Sequence, residues 1–191
     1  MATLPKTYLT EQEYLALDRA SEGKSEYFDG QMVAMSGSLP HARIGGNLLR
    51  AFGAALRSGP CEPFNNDLRL YIAGCKSYFY PDMMVFSGEP RLVPGADDMV
   101  DNPVLVAEVL SPSTESYDRG AKFVRYRAID SLRDYMLVSQ AEPFVELYSR
   151  GADGRWVLSD AIGLDAVLRI DNLGCSIPLA GIYDRVAFPE A

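Results

Sequence analysis

The chain has 191 residues, 48% hydrophobic and 23% charged. That is the composition of an ordinary globular protein, and it excludes disordered and collagen-like classes. With 26 acidic residues against 18 basic ones the formal charge is −8, so the chain as a whole lacks the basic footprint of nucleic-acid binders. Contact with a polyanion would need a local basic patch or a bound cation.

Three widely spaced cysteines, Cys61, Cys75 and Cys175, form no C-x-x-C pair and indicate neither a disulfide framework nor a zinc site. No apolar run approaches the length of a bilayer span. Residues Met1 to Thr10 carry no basic-then-apolar leader pattern. These features lead us to expect one domain over residues 1–191, cytoplasmic and without a membrane contact.

In chain order, Thr10-Glu11-Gln12-Glu13 is a capping-box pattern that predicts a short helix to about Arg19. Tyr27 to Val33 reads as a hairpin, with Asp29-Gly30 supplying the positive φ angles of a two-residue turn. Leu39-Pro40-His41 suits a first helical turn. Ile44, Leu48, Phe52 and Ala55 recur at helical spacing, and Gly59-Pro60 stops the helix. Leu68, Leu70 and Ile72 alternate as in a strand, and Tyr78 to Phe86 is strand-like throughout. Pro103 to Leu110 is apolar on both parities, the pattern of a central strand covered on both faces.

A second long helix is expected from about Glu115 to Ile129, then strands over Arg133–Ser139 and Phe144–Tyr148. Asp153-Gly154 turns the chain into Trp156-Val157-Leu158. A short strand near Val167–Ile170 and a last turn near Leu179–Tyr183 complete the order. Strands grouped between helices predict an α/β (α+β) domain around a mixed sheet.

Glu108 lies inside the apolar run Val104 to Leu110. A lone carboxylate there costs several kcal/mol unless a cation, a proton or hydrogen bonds compensate. It is either a structurally paired acid near a strand end or a ligand. Asp82 follows Pro81, a residue that marks strand edges and bulges, and alone it would read as a turn aspartate. Two acids on adjacent strands repel, and a divalent cation relieves this. Oxygen ligands without cysteine or clustered histidine point to magnesium or manganese. Asp118, Lys122 and Tyr126 share one helical face, which alone would be a solvated stripe.

His41 is the only histidine. At a helix N-terminus its pKa is expected to fall, and a cap or packed role competes with one at the site. Asp67 is expected on the strand before Asp82, as a carboxylate supporting the site. Ser111 and Thr114 suit a loop and helix cap, because no Ser–His–Asp arrangement is evident.

Tyr80-Pro81-Asp82, Glu108 through Thr114, Asp118-Arg119-Gly120, Lys122 and Tyr126 together resemble the bacterial "Putative restriction endonuclease" domain family of the PD-(D/E)XK nuclease superfamily. The resemblance runs from about Glu11 to Val186 and takes in Tyr27 through Gly30, Pro40-His41, Asp67, Trp156, Gly174-Cys175 and Ile182-Tyr183. It implies a restriction-endonuclease-like mixed central β-sheet flanked by helices, with catalytic residues Asp82, Glu108 and Lys122 and a metal held by Asp82 and Glu108. Glu26, His41, Asp67 and Tyr126 are further candidates for the site, Glu26 because it resembles an acid of the family at that point. The superfamily's usual lysine stands two residues after the acid, where this chain has Leu110. Lys122 matches a lysine moved to the following helix.

The implied activity is magnesium- or manganese-dependent hydrolysis of DNA, with a homodimer as the simplest route to double-strand cutting. Two other readings compete. One is a catalytically inactive nuclease-fold module for binding or assembly, associated with mobile elements. The other is a carboxylate-pair hydrolase of sugars, which would need neither metal nor Lys122.

Overall fold

The computed structural model describes residues 8–188. Helix α1 (Glu11–Ala20) opens on the expected capping box. The Thr10 hydroxyl accepts from the Glu13 N–H at 3.3 Å, and the Glu13 carboxylate accepts from the Thr10 N–H at 2.7 Å. Strands β1 (Ser25–Phe28) and β2 (Gln31–Ala34) form the hairpin, with Asp29 at φ 48° and Gly30 at φ 74°. Both values are positive, as a tight two-residue turn requires. Helix α2 (Leu39–Ala55) is capped by Ser38, carries Pro40 in its first turn, and buries Ile44, Leu48 and Phe52.

Strands β3 (Cys61–Asn65), β4 (Arg69–Ile72), β5 (Ser77–Phe79), β6 (Met83–Ser87), β7 (Met99–Val100) and β8 (Leu105–Leu110) follow. The run Tyr78–Phe86 is therefore not one strand. It breaks at Tyr80-Pro81-Asp82, where Pro81 has no N–H for a ladder. Asp67 is not on a strand either; it lies in the turn between β3 and β4.

The expected helix Glu115–Ile129 is three short pieces: α3 (Glu115–Tyr117), a π-helical turn (Asp118–Lys122) and α4 (Phe123–Tyr126). After them come β9 (Asp134–Ser139), β10 (Phe144–Arg150), β11 (Trp156–Ile162), β12 (Val167–Ile170), β13 (Cys175–Pro178) and α5 (Leu179–Ile182).

The expected mixed sheet divides into two larger sheets and a small one. The first has the order β11-β10-β9-β8-β6-β3, the second β2-β1-β5-β4-β7, and β12 pairs with β13 alone. Only β8–β9 is parallel in the first sheet. All six residues of β8 are buried, as its unbroken apolar run predicts. Its odd positions Leu105, Ala107 and Val109 pack with Ile44, Leu48 and Phe52 of α2. Its even positions Val106 and Leu110 pack with Leu70, Phe79, Tyr126 and Tyr135. Glu108 has the even parity. It therefore points into the side shared with the second sheet and the helical pieces. Among the described residues no helix is long and apolar enough to cross a membrane.

Candidate active site

The pairing of β6 with β8 places Met83 opposite Ala107, so one residue further on Asp82 comes opposite Glu108. The junction that delivers Asp82 is anchored from behind. Buried Asp18 on α1 accepts from the Tyr80 hydroxyl at 2.8 Å, the Arg69 guanidinium at 2.7 Å and the Ser25 N–H at 2.8 Å. Asp82 Oδ2 in turn accepts the Val109 N–H at 2.7 Å and lies 3.3 Å from His41 Nε2. The Tyr-Pro-Asp segment is thus fixed at both ends while the chain crosses from β5 in the second sheet to β6 in the first.

Lys122 meets these strands from the π turn. Its Nζ lies 2.7 Å from Glu26 Oε1, 2.9 Å from Glu108 Oε1 and 3.6 Å from Asp118 Oδ1. Tyr126, one turn on, donates its hydroxyl to Glu108 Oε1 at 2.5 Å. Glu108 and Lys122 are each 4% exposed, Glu26 is 7% and Tyr126 is 0%. The stripe Asp118–Lys122–Tyr126 is therefore an interior face. Asp118, the residue absent from the expected site, is its first member, and its spacing of four from Lys122 is the signal that marks it.

Electrostatics follow from burial. Loss of water pushes the Glu108 carboxyl well above its ordinary range; the Lys122 ammonium opposes this, and Asp118, Asp82 and Glu26 reinforce it. Burial likewise raises Asp118. For Lys122 burial pulls downward, but the combined attraction of Glu108, Glu26 and Asp118 wins and holds the ammonium charged. His41 moves up, against the expectation from the helix N-terminus. Its hydrogen bond to Asp82 is the largest influence and outweighs desolvation, because a carboxylate in contact exceeds a partial dipole charge.

Glu26, His41, Asp82, Glu108, Asp118 and Lys122 all line one cleft of about 810 Å³. Tyr126 stands behind it and orients Glu108. Asp67 does not line it: its side chain is 71% exposed and accepts from Lys24 at 2.6 Å and from Asn65 at 2.7 Å. Lys24, Asn65 and Asn66 form the cleft rim there instead.

The donor set fits a hard cation. Four carboxylates share the cleft lining with two lysines and one histidine. The described hydrogen bonds and ion pairs engage Oδ2 of Asp82 and Oε1 of Glu108; the other oxygen of each has no such contact among them. No group of three or more His, Cys, Asp or Glu side chains among the described residues forms a metal cage. Magnesium is ordinarily held by one or two carboxylates, water and substrate phosphate rather than an all-protein cage.

Comparison with known proteins agrees with this architecture. Two uncharacterized proteins of Synechocystis sp. (strain PCC 6803) are similar along most of their length. One, sll1609, is 38% identical over 159 residues, covering 83% of this chain and 90% of the relative. The other, slr1290, is 39% identical over 188 residues, covering 98% and 96%. The crystal structure of a protein from Anabaena variabilis, described as a "putative nuclease belonging to DUF820", superposes with a TM-score of 0.76 over 94% of this chain and 99% of that one. At 16% identity the likeness is one of fold. The model of the Uma2 family, "Putative restriction endonuclease", matches residues 11–180, and the chain belongs to that family.

Proposed function

We propose that the protein hydrolyses phosphodiester bonds in DNA in a reaction that depends on magnesium or manganese. The observation that carries this is the meeting of Asp82, Glu108 and Lys122 in one cleft, each delivered by a different element. Asp82 and Glu108 would hold the cation, which when bound supplies an acidified water and neutralises phosphate charge.

The chain's own groups do the rest. Tyr126 fixes one oxygen of Glu108, and the Val109 N–H and His41 fix one oxygen of Asp82. Lys122 brings a charged ammonium to the side of Glu108, placed to steady charge on the phosphate as a water oxygen adds to phosphorus and gives up a proton to solvent, while the leaving ester oxygen departs and takes up a proton from solvent. Cutting both strands of a duplex takes two such sites, which a symmetric dimer would supply.

The acidity of the chain favours a second reading, a nuclease-fold module that binds without cleaving. One assay separates the two. Plasmid and single-stranded DNA are incubated with magnesium or manganese, with and without EDTA, using the wild type, Asp82→Asn and Lys122→Ala. The expected result is cation-dependent cleavage lost in both variants. Cleavage that survives either substitution rejects the assigned site, and metal binding without cleavage favours the second reading.

A further inference from the structure

The cleft has two unlike walls. One is the carboxylate cluster. The other is apolar and comes from β2 and α2. Val33 is 44% exposed on β2, Met35 follows it, and α2 presents Ala42, Gly45, Gly46 and Leu49 along one face of the same cleft. Two adjacent glycines in the middle of a 17-residue helix are poor helix formers, so their presence calls for a reason. Packing does not give it, because a Cβ built on Gly45 or Gly46 meets nothing within 4 Å. Both open directly into the cleft.

Charge narrows the occupant. The cleft lining holds Lys24, Lys122 and His41 against Glu26, Asp82, Glu108 and Asp118, and Lys122 is already committed to carboxylates. Duplex DNA carries one phosphate per roughly 1.7 Å of axis, about twice the density of one strand, and its binders neutralise several phosphates at once. This cleft has no such row of cations. A single strand brings fewer charges and leaves its base faces free for apolar contact.

Resting on the nuclease reading above, we infer that the cleft takes a single-stranded DNA segment, with its bases laid against Val33 at the end of β2, Met35 just beyond it and the open Gly45-Gly46 face of α2, and its phosphate toward Asp82 and Glu108.

The test measures binding apart from cleavage. A fluorescein-labelled oligothymidylate of about twelve nucleotides and the same strand annealed to its complement are titrated by fluorescence anisotropy, with calcium replacing magnesium. The single strand should bind at least about tenfold tighter. Gly46→Trp fills the cleft and should lose about tenfold or more, whereas Gly46→Ala should stay within about threefold of wild type. Val33→Ser removes apolar surface at a half-exposed position without adding charge opposite Glu26, and should weaken single-strand binding, by less than Gly46→Trp does. Thermal unfolding checks that each variant is folded.

Equal or tighter duplex binding overturns the inference, as does indifference to both Gly46→Trp and Val33→Ser. Cleavage is scored separately with magnesium. A strand preference in binding with no cleavage of either DNA overturns the hydrolytic reading and supports the strand preference. Cleavage of duplex as fast as single strand overturns the strand preference and leaves the hydrolytic reading intact.

Discussion

Lys122 and Asp134 show two ways in which one side chain bears on the whole. Lys122 sits among Glu26, Glu108 and Asp118, and removing one partner of such a buried set typically costs about 3–5 kcal/mol. Conformational stability therefore has to be measured beside activity whenever Lys122 is replaced. Asp134, far from the cleft at the other end of β9, is fully buried. Its Oδ1 accepts from Ser149 at 2.6 Å and from Asn172 at 3.0 Å, while its Oδ2 has no partner among the described residues.

Burial raises the Asp134 carboxyl above the ordinary 3.8. As pH rises through that value the unfolded chain releases its proton first, the folded chain retains more protons, and stability falls. The fall ends once the folded carboxyl has also ionised. Asp134→Asn cannot titrate. It should match the wild type below about pH 3.8 and exceed it near neutrality, as read from urea unfolding at both pH values. An equal difference at the two would reject the assignment.

The π turn at Asp118–Lys122 is the element on which the site depends. Such turns interrupt α-helices and recur at functional sites. Here it contains Gly120, whose added Cβ would meet nothing within 4 Å, so the backbone rather than packing sets its course. Deleting Gly120 should convert the segment to ordinary helix and rotate Asp118 about 100° relative to Lys122. The expected outcome is a chain of unchanged circular dichroism that has lost cleavage; retained cleavage would show that the turn is dispensable. This element also marks where the sequence stops being informative. Apolar periodicity revealed α2 and β8 because each buries continuous faces, and Thr10 with Glu13 announced α1. Asp118, Lys122 and Tyr126 stand at spacings of four, which an ordinary helix also places on one face, so nothing in their pattern exposes the wider turn between them. Tyr78 to Phe86 read as one strand for a similar reason: both halves are buried, but in different sheets, and only Pro81 hints at the crossing.

At the scale of the molecule, net charge would govern encounter with DNA in the proposed reaction. With −8 overall and an acidic cleft, binding should depend on divalent cations and lose little to monovalent salt. The slope of log affinity against log salt should be about −1 to −2, far from the roughly −10 of a binder that neutralises many phosphates, as measured by anisotropy across a salt series. A steep slope would mean that a basic surface outside the cleft does the binding. The pairing of sheets lay beyond the sequence. Asp82, Glu108 and Lys122 could be matched to a family pattern, but Glu26 reaches Lys122 only because β1 belongs to the second sheet, while Glu108 stands on β8 of the first and Asp82 on the crossing just before β6. That division has a consequence for the newborn chain. A fragment ending before residue 122, or an intermediate with one sheet assembled, cannot bring all four groups together, so the cluster is completed only when both sheets have docked.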